Sequence, residues 1–425
     1  MSERVGNVVR RKQSGVFGNG VSLMVFQVAK IVFPIITLPY LTRVLSVEVY
    51  GVVTYAKAIM NYMQIFVDFG FVLSGTKDVV QARENQKKLD LVVGDTMAAR
   101  IFLGLVGFVI VGTLVFSLPI LRENMLFTFL SYIAVFLSIF LFDFLFRGME
   151  VMYIIALRFV IMKIISTALT FMLVKDDSNM LLIPILDIIS SLVAVALVLY
   201  EVKKMQIKMK LSNFKSIFQK IRESFIYFLS SAAATSLNAM STIIIGIYTS
   251  AAEVAYWGLA MQIIGTVTAL YSPISDSLYP EMIKTKKFGL MRKALLIFTP
   301  VVALGTIVVF FMAGTALKIL GGEEYLVAVP AFRILVIMLL PAFLAVMFGW
   351  PVLGSIDKMK QVTASTVISA IFNIAILLVL AFTGGLTLIN IAVARVATEC
   401  LLFAIRYCCS QKYKYLFVDC KGEIK

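Results

Sequence analysis

Histidine is absent from the 425 residues, and with it the side chain that most often serves as a general base near neutral pH. Cysteine is scarce: Cys400, Cys408, Cys409 and Cys420 lie late in the chain, without the spacing of a zinc site. Charged residues make up only 15% of the sequence, and no polar stretch is long enough to fold as a separate soluble domain. These absences argue against an enzyme, and we predict no catalytic residue, no cofactor and no metal.

Apolar residues dominate instead, at 60% of the sequence, above the roughly 45–50% of ordinary soluble domains. The polar start MSERVGNVVRRKQ predicts no cleavable signal peptide. We predict an all-α polytopic membrane protein with about twelve transmembrane helices, because a spanning helix needs roughly 20 mostly apolar residues. The stretches of that kind are 17–40, 50–73, 95–118, 125–146, 153–174, 180–200, 225–248, 256–279, 294–317, 328–350, 362–382 and 387–406.

The net charge of +15 is distributed unevenly along the chain. Of the 39 Lys and Arg residues, 28 fall in alternate connections and ends when Arg406, the last residue of the final stretch, is counted with the C-terminal end; 4 fall in the opposite connections, and 7 lie within the spans. This asymmetry follows the positive-inside rule, so we predict a multi-pass membrane protein with both termini cytoplasmic. The basic runs KKMQIKMK and KTKK are interpreted as topology signals beside anionic membrane lipid, and no nucleic-acid partner is predicted.

The longest and most charged connection, roughly 201–224, separates six predicted helices from six. The segment SVEVYGVVTYAKAIMNYMQ in the first half is echoed by SAAEVAYWGLAMQIIG in the second, with Gly51 and Gly258 aligned at an offset of 207 residues. We therefore predict two six-helix lobes, 1–210 and 211–425. Parallel repeats of this kind are a common transporter architecture, with the substrate path between them.

Polar residues inside the spans carry the functional prediction, because in hydrocarbon they must face protein or water. In the second predicted helix, four polar residues are spaced 4, 3 and 4 apart and share one helical face. In the first, Lys30 lies near the middle of an apolar run, where contact with lipid costs several kcal/mol. The substrate-binding candidates are Lys30, Lys57, Asn61, Gln64, Lys163, Asn238, Gln262 and Arg395.

Two interpretations of these residues remain open. Hydroxyl and amide side chains often serve only as interhelical hydrogen-bonding groups, and Arg395 and Glu399, four apart, can pair with each other. Lys30, Lys57 and Lys163 lie within the predicted spans of the first half, where the only strongly buried acid besides Asp68, at the end of the stripe, is Asp187. This excess of lysine indicates a positive potential suited to an anionic ligand such as a phosphate or an acidic sugar. Four further charged residues are predicted to snorkel or gate near the cytoplasmic interface, namely Arg100, Asp143, Arg147 and Arg158.

Carboxylates within the spans are candidates for coupling transport to an ion. They can exchange a proton or merely neutralise nearby cations, and we favour proton antiport with Asp68 or Glu399 as the carrier. The full set of ion-coupling candidates is Asp68, Asp187, Asp276 and Glu399.

Several segments resemble a known family. FPIITLPYLTRVLSVEVYGVVTYAKAI and VDFGFVLSGTKDVV resemble the N-terminal signature of O-antigen flippases of the Wzx type, within the multidrug/oligosaccharidyl-lipid/polysaccharide exporter superfamily. LFRGME, LYSPISDSLYPEM and RILVIMLLPAFLAVMFGWPVLGSIDKMK are similar to later segments of that family. The resemblance covers essentially the whole chain in order.

The resemblance implies a flippase of the bacterial inner membrane, which moves an undecaprenyl-diphosphate-linked oligosaccharide, an O-antigen or capsule repeat unit, from the cytoplasmic to the periplasmic leaflet. It further implies two six-helix lobes around a central cavity and an alternating-access cycle driven by a proton or sodium gradient. Contact with the polysaccharide polymerase machinery is a further expected partnership. The cationic cavity of the family matches Lys30, Lys57 and Lys163 in kind.

Three alternatives are weighed against this function. A multidrug exporter of the same superfamily, exchanging cations, would favour an acidic cavity. A flippase for lipid-linked peptidoglycan precursors would have two additional helices. A membrane glycosyltransferase or polysaccharide polymerase would need a sizeable periplasmic loop or a cluster of catalytic carboxylates.

Overall fold

The computed structural model describes residues 16–417, except the side chains of residues 16–19, Leu23 and Asn238. Within the described range, eleven helical stretches are long and apolar enough to cross a membrane, and the bent pair Phe214–Leu237 and Ala239–Tyr248 makes twelve. Each of the twelve apolar stretches found in the sequence coincides with one of them. The predicted class, an all-α polytopic membrane protein, is confirmed.

The helices are numbered in chain order over the described residues. The first nine are α1 (Val16–Val44), α2 (Val47–Asp68), α3 (Phe71–Ala82), α4 (Gln86–Ser117), α5 (Pro119–Glu123), α6 (Met125–Leu137), α7 (Asp143–Gly148), α8 (Met152–Leu173) and α9 (Leu182–Lys204). The others are α10 (Phe214–Tyr248), α11 (Ala251–Ala269), α12 (Tyr271–Thr285), α13 (Phe288–Phe311), α14 (Ala313–Gly321), α15 (Val329–Ile337), α16 (Leu339–Met347), α17 (Met359–Phe382) and α18 (Leu388–Lys412).

The chain forms two compact units, and the boundary between them falls inside α10. The N-terminal unit ends at Ala232 and the C-terminal unit begins at Ala233. Short 3₁₀ turns interrupt both units, at Ser138–Leu141 in the first and at Glu323–Ala328 in the second.

Serine side chains fix the starts of two corresponding helices. The Ser46 hydroxyl accepts a hydrogen bond from the Val49 backbone N–H at 3.4 Å and begins α2. The Ser250 hydroxyl accepts from the Glu253 backbone N–H at 3.3 Å and begins α11. Such N-caps satisfy backbone donors that a helix leaves unpaired. Both serines open the two segments that resemble each other in the sequence.

Backbone breaks divide some of the predicted helices. The second predicted helix, 50–73, is interrupted where Phe69 and Gly70 adopt φ of 40° and 78°, and it resumes as α3 up to Ala82. A β-carbon on Gly70 would lie 2.5 Å from Cβ of Tyr227, so the close approach of α10 requires glycine here. The ninth predicted helix, 294–317, likewise ends at Phe311 and continues as α14.

The C-terminal unit contains an unwound segment stabilised by a buried arginine. Gly349, with ψ of −107°, distorts the helix between α16 and Gly354, and Pro351 removes a backbone donor there. Arg406 of α18 donates to the Ala345 carbonyl oxygen at 2.6 Å and to the hydroxyl oxygens of Ser365 and Thr366, both at 3.1 Å. Side chains that bond to freed carbonyls are what allows irregular backbone inside a membrane protein.

Candidate functional site

Lys30 lies on the exposed part of α1, in the N-terminal unit. Its Nζ is 5.0 Å from the ring centroid of Phe26, and that ring packs edge-on against Phe159 of α8 at 4.8 Å. A cation over an aromatic face is attracted to the ring. Lys30 also interacts electrostatically with Arg147 of α7, a group of the same charge. The two cations therefore reinforce a positive potential at this position.

Lys57 and Lys163 form a second cationic group with one acidic neighbour. Lys57 is exposed on α2 and interacts electrostatically with both Lys163 of α8 and Asp187 of α9. Asp187 accepts a hydrogen bond from the Ser166 hydroxyl at 2.8 Å. The structure thus brings together three residues that the sequence placed on three different helices.

Gln64 and Asp68, at the end of the α2 stripe, belong to a hydrogen-bonded network. Gln64 Nε2 donates to Asp68 Oδ2 at 3.0 Å and to the Ser138 hydroxyl oxygen at 2.9 Å. Arg100 of α4 pairs with Asp68 Oδ1 at 2.5 Å and donates to the Ile139 carbonyl oxygen at 3.0 Å. Because the helix after α6 is broken, that carbonyl needs another donor, and Arg100 supplies it.

A second arginine–aspartate pair lies nearby, between Arg158 of α8 and Asp143 of α7. The Arg158 charge also interacts with Arg100 and Asp68. Of the two roles predicted for these arginines, snorkelling does not fit Arg100 and Arg158, which are 3% and 4% exposed, and gating stays a prediction. Buried guanidinium groups need paired acceptors, and here aspartate carboxylates supply them.

The stripe that the sequence predicted along α2 therefore divides into two parts. Lys57 and Asn61 are exposed, whereas Gln64 and Asp68 are half-buried and bonded to neighbouring elements. Among the described residues, no carboxylate lies within ion-pair distance of Lys30, Lys57 or Lys163.

The candidates in the C-terminal unit are arranged differently. Arg395 and Glu399 pair within α18 at 2.6 Å, and both are buried. Gln262 is half-buried in α11, and Asp276 is exposed on α12. The side chain of Asn238 lies outside the described part of the chain.

Sequence reasoning missed the role of Arg100 because it placed the start of that helix too late. The predicted span began at 95, whereas α4 begins at Gln86, so Arg100 lies in the middle of the helix rather than near its end. Ser166, which donates to Asp187, was visible only as one hydroxyl among several in α8. No periodicity links either residue to its carboxylate partner on another helix.

Comparisons with solved structures identify the fold of this protein. The fold is similar to that of the lipid II flippase MurJ in an inward closed conformation, with a TM-score of 0.71 and 12% identity, over 92% of this chain and 87% of that one. It is also similar to an inward-facing multidrug resistance MATE family transporter of the MOP superfamily, with a TM-score of 0.66 and 12% identity, over 91% of this chain and 98% of the other. The chain thus has the two-lobed helical fold shared by these membrane proteins.

Sequence comparison then gives the family. A family model described as "Polysaccharide biosynthesis protein" matches residues 16–286, and the chain belongs to this family. It is 23% identical to the "Putative O-antigen transporter" of Escherichia coli (strain K12) over 398 residues, which cover 91% of this chain and 94% of that protein.

Proposed function

We propose that the protein is a flippase that translocates an undecaprenyl-diphosphate-linked oligosaccharide from the cytoplasmic to the periplasmic leaflet by ion-coupled alternating access. The observation that carries the proposal is the set of lysines in the N-terminal unit, Lys30, Lys57 and Lys163, none of which has a carboxylate at ion-pair distance among the described residues. Family membership and the name of the Escherichia coli relative support the same function.

The chemistry of such a substrate fits cations of this kind. A polyprenyl tail remains in lipid, whereas a diphosphate and its sugars lose their hydration and need polar partners. Lysine binds phosphate as a mobile point charge, and Arg147 adds a second cation beside Lys30. The amide side chains proposed to form hydrogen bonds with sugar hydroxyls are Asn61, Gln64, Asn238 and Gln262. Arg395, which pairs with Glu399, is a further proposed binding residue.

Ion coupling is proposed to involve one or more of Asp68, Asp187, Asp276 and Glu399, with a proton or sodium ion as the partner. Asp68 and Glu399 form ion pairs with Arg100 and Arg395, and each pair must open before its carboxylate can bind a proton or sodium ion. Asp187 accepts from Ser166 and lies in the field of Lys57, where an anionic substrate would compete with it for the same cation. This arrangement makes Asp187 the preferred carrier.

The proposed topology places both termini in the cytoplasm, in keeping with the distribution of Lys and Arg. The proposed flippase function places the helices in the inner membrane of a bacterial cell. The protein is proposed to be a transporter rather than an enzyme, and to act together with the machinery that polymerises the transported units.

The function is tested in cells depleted of this protein. We expect lipid-linked oligosaccharide to build up on the cytoplasmic side while surface polysaccharide disappears, and both changes to be reversed by the wild-type gene. Surface polysaccharide that stays intact, without any build-up of the intermediate, would refute the flippase function. The assays of choice would then be drug and cation export.

Variants in the same cells test the site. Lys57→Gln and Lys163→Gln each remove one cation from the proposed site and are expected to lower transport at least tenfold, while the amount of protein in the membrane stays unchanged. Lys175→Gln is the matched control, because Lys175 is an exposed lysine in the connection that follows α8. Equal transport by all three variants would remove both lysines from the site.

A further inference from the structure

Residues 206–212, which follow α9, are hydrogen-bonded to the start of α4, and we call this segment the strap. The Asp90 carboxylate accepts from the backbone N–H of Lys208 at 3.0 Å. The Asp95 carboxylate accepts from the backbone N–H of Ser212 at 2.9 Å and from its hydroxyl at 2.7 Å. Both carboxylates are buried, at 4% and 6% exposure, so their hydrogen bonds are shielded from water.

The backbone of the strap also lies directly against α4. The Lys210 backbone N–H donates to the Asp90 carbonyl oxygen at 3.2 Å. A β-carbon on Gly94 would lie 2.1 Å from the Lys210 carbonyl oxygen, so only glycine permits this approach. Gln86 adds a bond from its side chain to the Gln206 carbonyl oxygen at 3.3 Å. The strap is therefore a fixed part of the N-terminal unit rather than a flexible linker.

The hydrogen bonds turn the backbone inward and leave the side chains in the middle of the strap exposed. Lys208, Met209, Lys210 and Leu211 are all exposed, and Lys215 follows on α10. Two more exposed lysines, at positions 87 and 88, begin α4 beside the strap. The carboxylates of Asp90 and Asp95 are buried beneath the strap, where they accept its hydrogen bonds, so the exposed lysines make the outer face basic.

Large apolar side chains lie among these cations. Phe214 is 78% exposed and Phe218, one turn further along α10, is 61% exposed. A different side of the same helix is anchored, since Ile217 is buried and Lys220 pairs with Asp78 of α3. A rigid surface that combines several lysines with exposed aromatic rings has the character of a membrane-interface contact.

We propose that this surface, formed by the strap and the start of α10, binds the headgroups of anionic phospholipids, while Phe214 and Phe218 enter the boundary of the acyl chains. Charge complementarity selects the partner, because clustered lysines beside a spanning helix attract anionic lipid, and the exposed rings favour lipid over a free anion. The inference rests on the proposed cytoplasmic location of this face and is independent of which substrate is transported.

The test uses purified full-length protein in detergent, titrated with phosphatidylglycerol and followed by native mass spectrometry. Because each such lysine contributes about fivefold in affinity, the variant Lys208→Gln/Lys210→Gln/Lys215→Gln is expected to bind about 100-fold more weakly. The control is Lys284→Gln/Lys286→Gln/Lys287→Gln, which removes the same charge from the other basic run and is expected to retain most of the binding.

Two measurements on the unmodified protein complete the test. Phosphatidylcholine is expected to bind at least tenfold more weakly than phosphatidylglycerol, and excess inorganic phosphate is expected to displace little of the bound lipid. Equal loss in the two triple variants, equal binding of both lipids, or full displacement by phosphate would each overturn the proposal. Transport is not measured in any of these experiments, so their outcome is separate from that of the flippase test.

Discussion

The Asp68–Arg100 pair offers the sharpest test of how the N-terminal unit is held together. Arg100 is 3% exposed, whereas the Asp68 side chain is 27% exposed and also accepts from Gln64. Removing Asp68 should therefore destabilise the protein more than removing Arg100. Asp68→Asn leaves a buried guanidinium without a counter-charge, whereas Arg100→Met leaves a carboxylate that reaches water and keeps one hydrogen bond.

Breaking a fully buried ion pair costs about 3–5 kcal/mol, and the partial exposure of Asp68 reduces this, so Asp68→Asn should destabilise the protein by about 2–3 kcal/mol. Arg100→Met should cost about 1–2 kcal/mol, because it also leaves the Ile139 carbonyl oxygen without that donor. The double variant removes both charges together, and its cost should fall about 2 kcal/mol short of the sum of the two single costs.

The assay is a double-mutant cycle of unfolding free energies, measured on purified protein in mixed micelles. Glu150→Gln is the control for a single charge removal, because the Arg83–Glu150 pair at 2.7 Å has side chains that are 38% and 65% exposed. Exposed pairs contribute at most about 1 kcal/mol. Single-variant costs that simply add in the double variant would refute the structural role of the pair.

The same variants separate the two interpretations of Asp68. If Asp68 serves only to neutralise Arg100, the double variant should restore surface polysaccharide to near the wild-type level in depleted cells. If Asp68 carries the coupling ion, transport stays lost in the double variant even where its folding is recovered.

Three further variants test separate features. Lys30→Arg should retain more transport than Lys30→Ala in depleted cells, because a cation remains over the Phe26 ring, and equal activity would exclude a ligand role. Gly70→Ala should destabilise the protein in detergent by at least about 2 kcal/mol, because the added β-carbon would clash with Tyr227 at a position of positive φ. The control Gly112→Ala should not destabilise the protein, because no atom lies within 4 Å of the added β-carbon. Tyr132→Phe should cost about 1 kcal/mol in the same assay, because it removes the hydrogen bond from the Tyr132 hydroxyl to the carbonyl oxygen of residue 104; an unchanged stability would show that this bond contributes nothing.

The sequence identified the spanning helices because their signal is local. An apolar run of sufficient length must leave water whatever its neighbours are, and the twelve runs correspond to the helical stretches that the structure describes. Capping residues are local as well, and Ser46 and Ser250 begin helices in both units. The pairing of Arg395 with Glu399 is local too, because residues four apart on a helix are neighbours, and it was one of the two interpretations that the sequence left open.

The breaks within helices were not predictable in this way. Phe69 and Phe142 both adopt positive φ, a conformation that neither residue favours by itself. Packing against other elements selects it, as the approach of Tyr227 to Gly70 shows. The predicted apolar stretches 50–73 and 125–146 run across the two breaks, so hydropathy averaged over a span gives no sign of them.

The sequence by itself determined that this chain spans a membrane many times, which family it resembles, and which residues carry charge inside the spans. Only the tertiary structure decided how those charges are matched. Asp68 and Arg100 lie 32 residues apart on different helices, and Lys57, Lys163 and Asp187 come from three. Periodicity gives the face of a residue on its own helix, but the partner depends on how each helix is rotated and packed against its neighbours, which is a property of the whole fold.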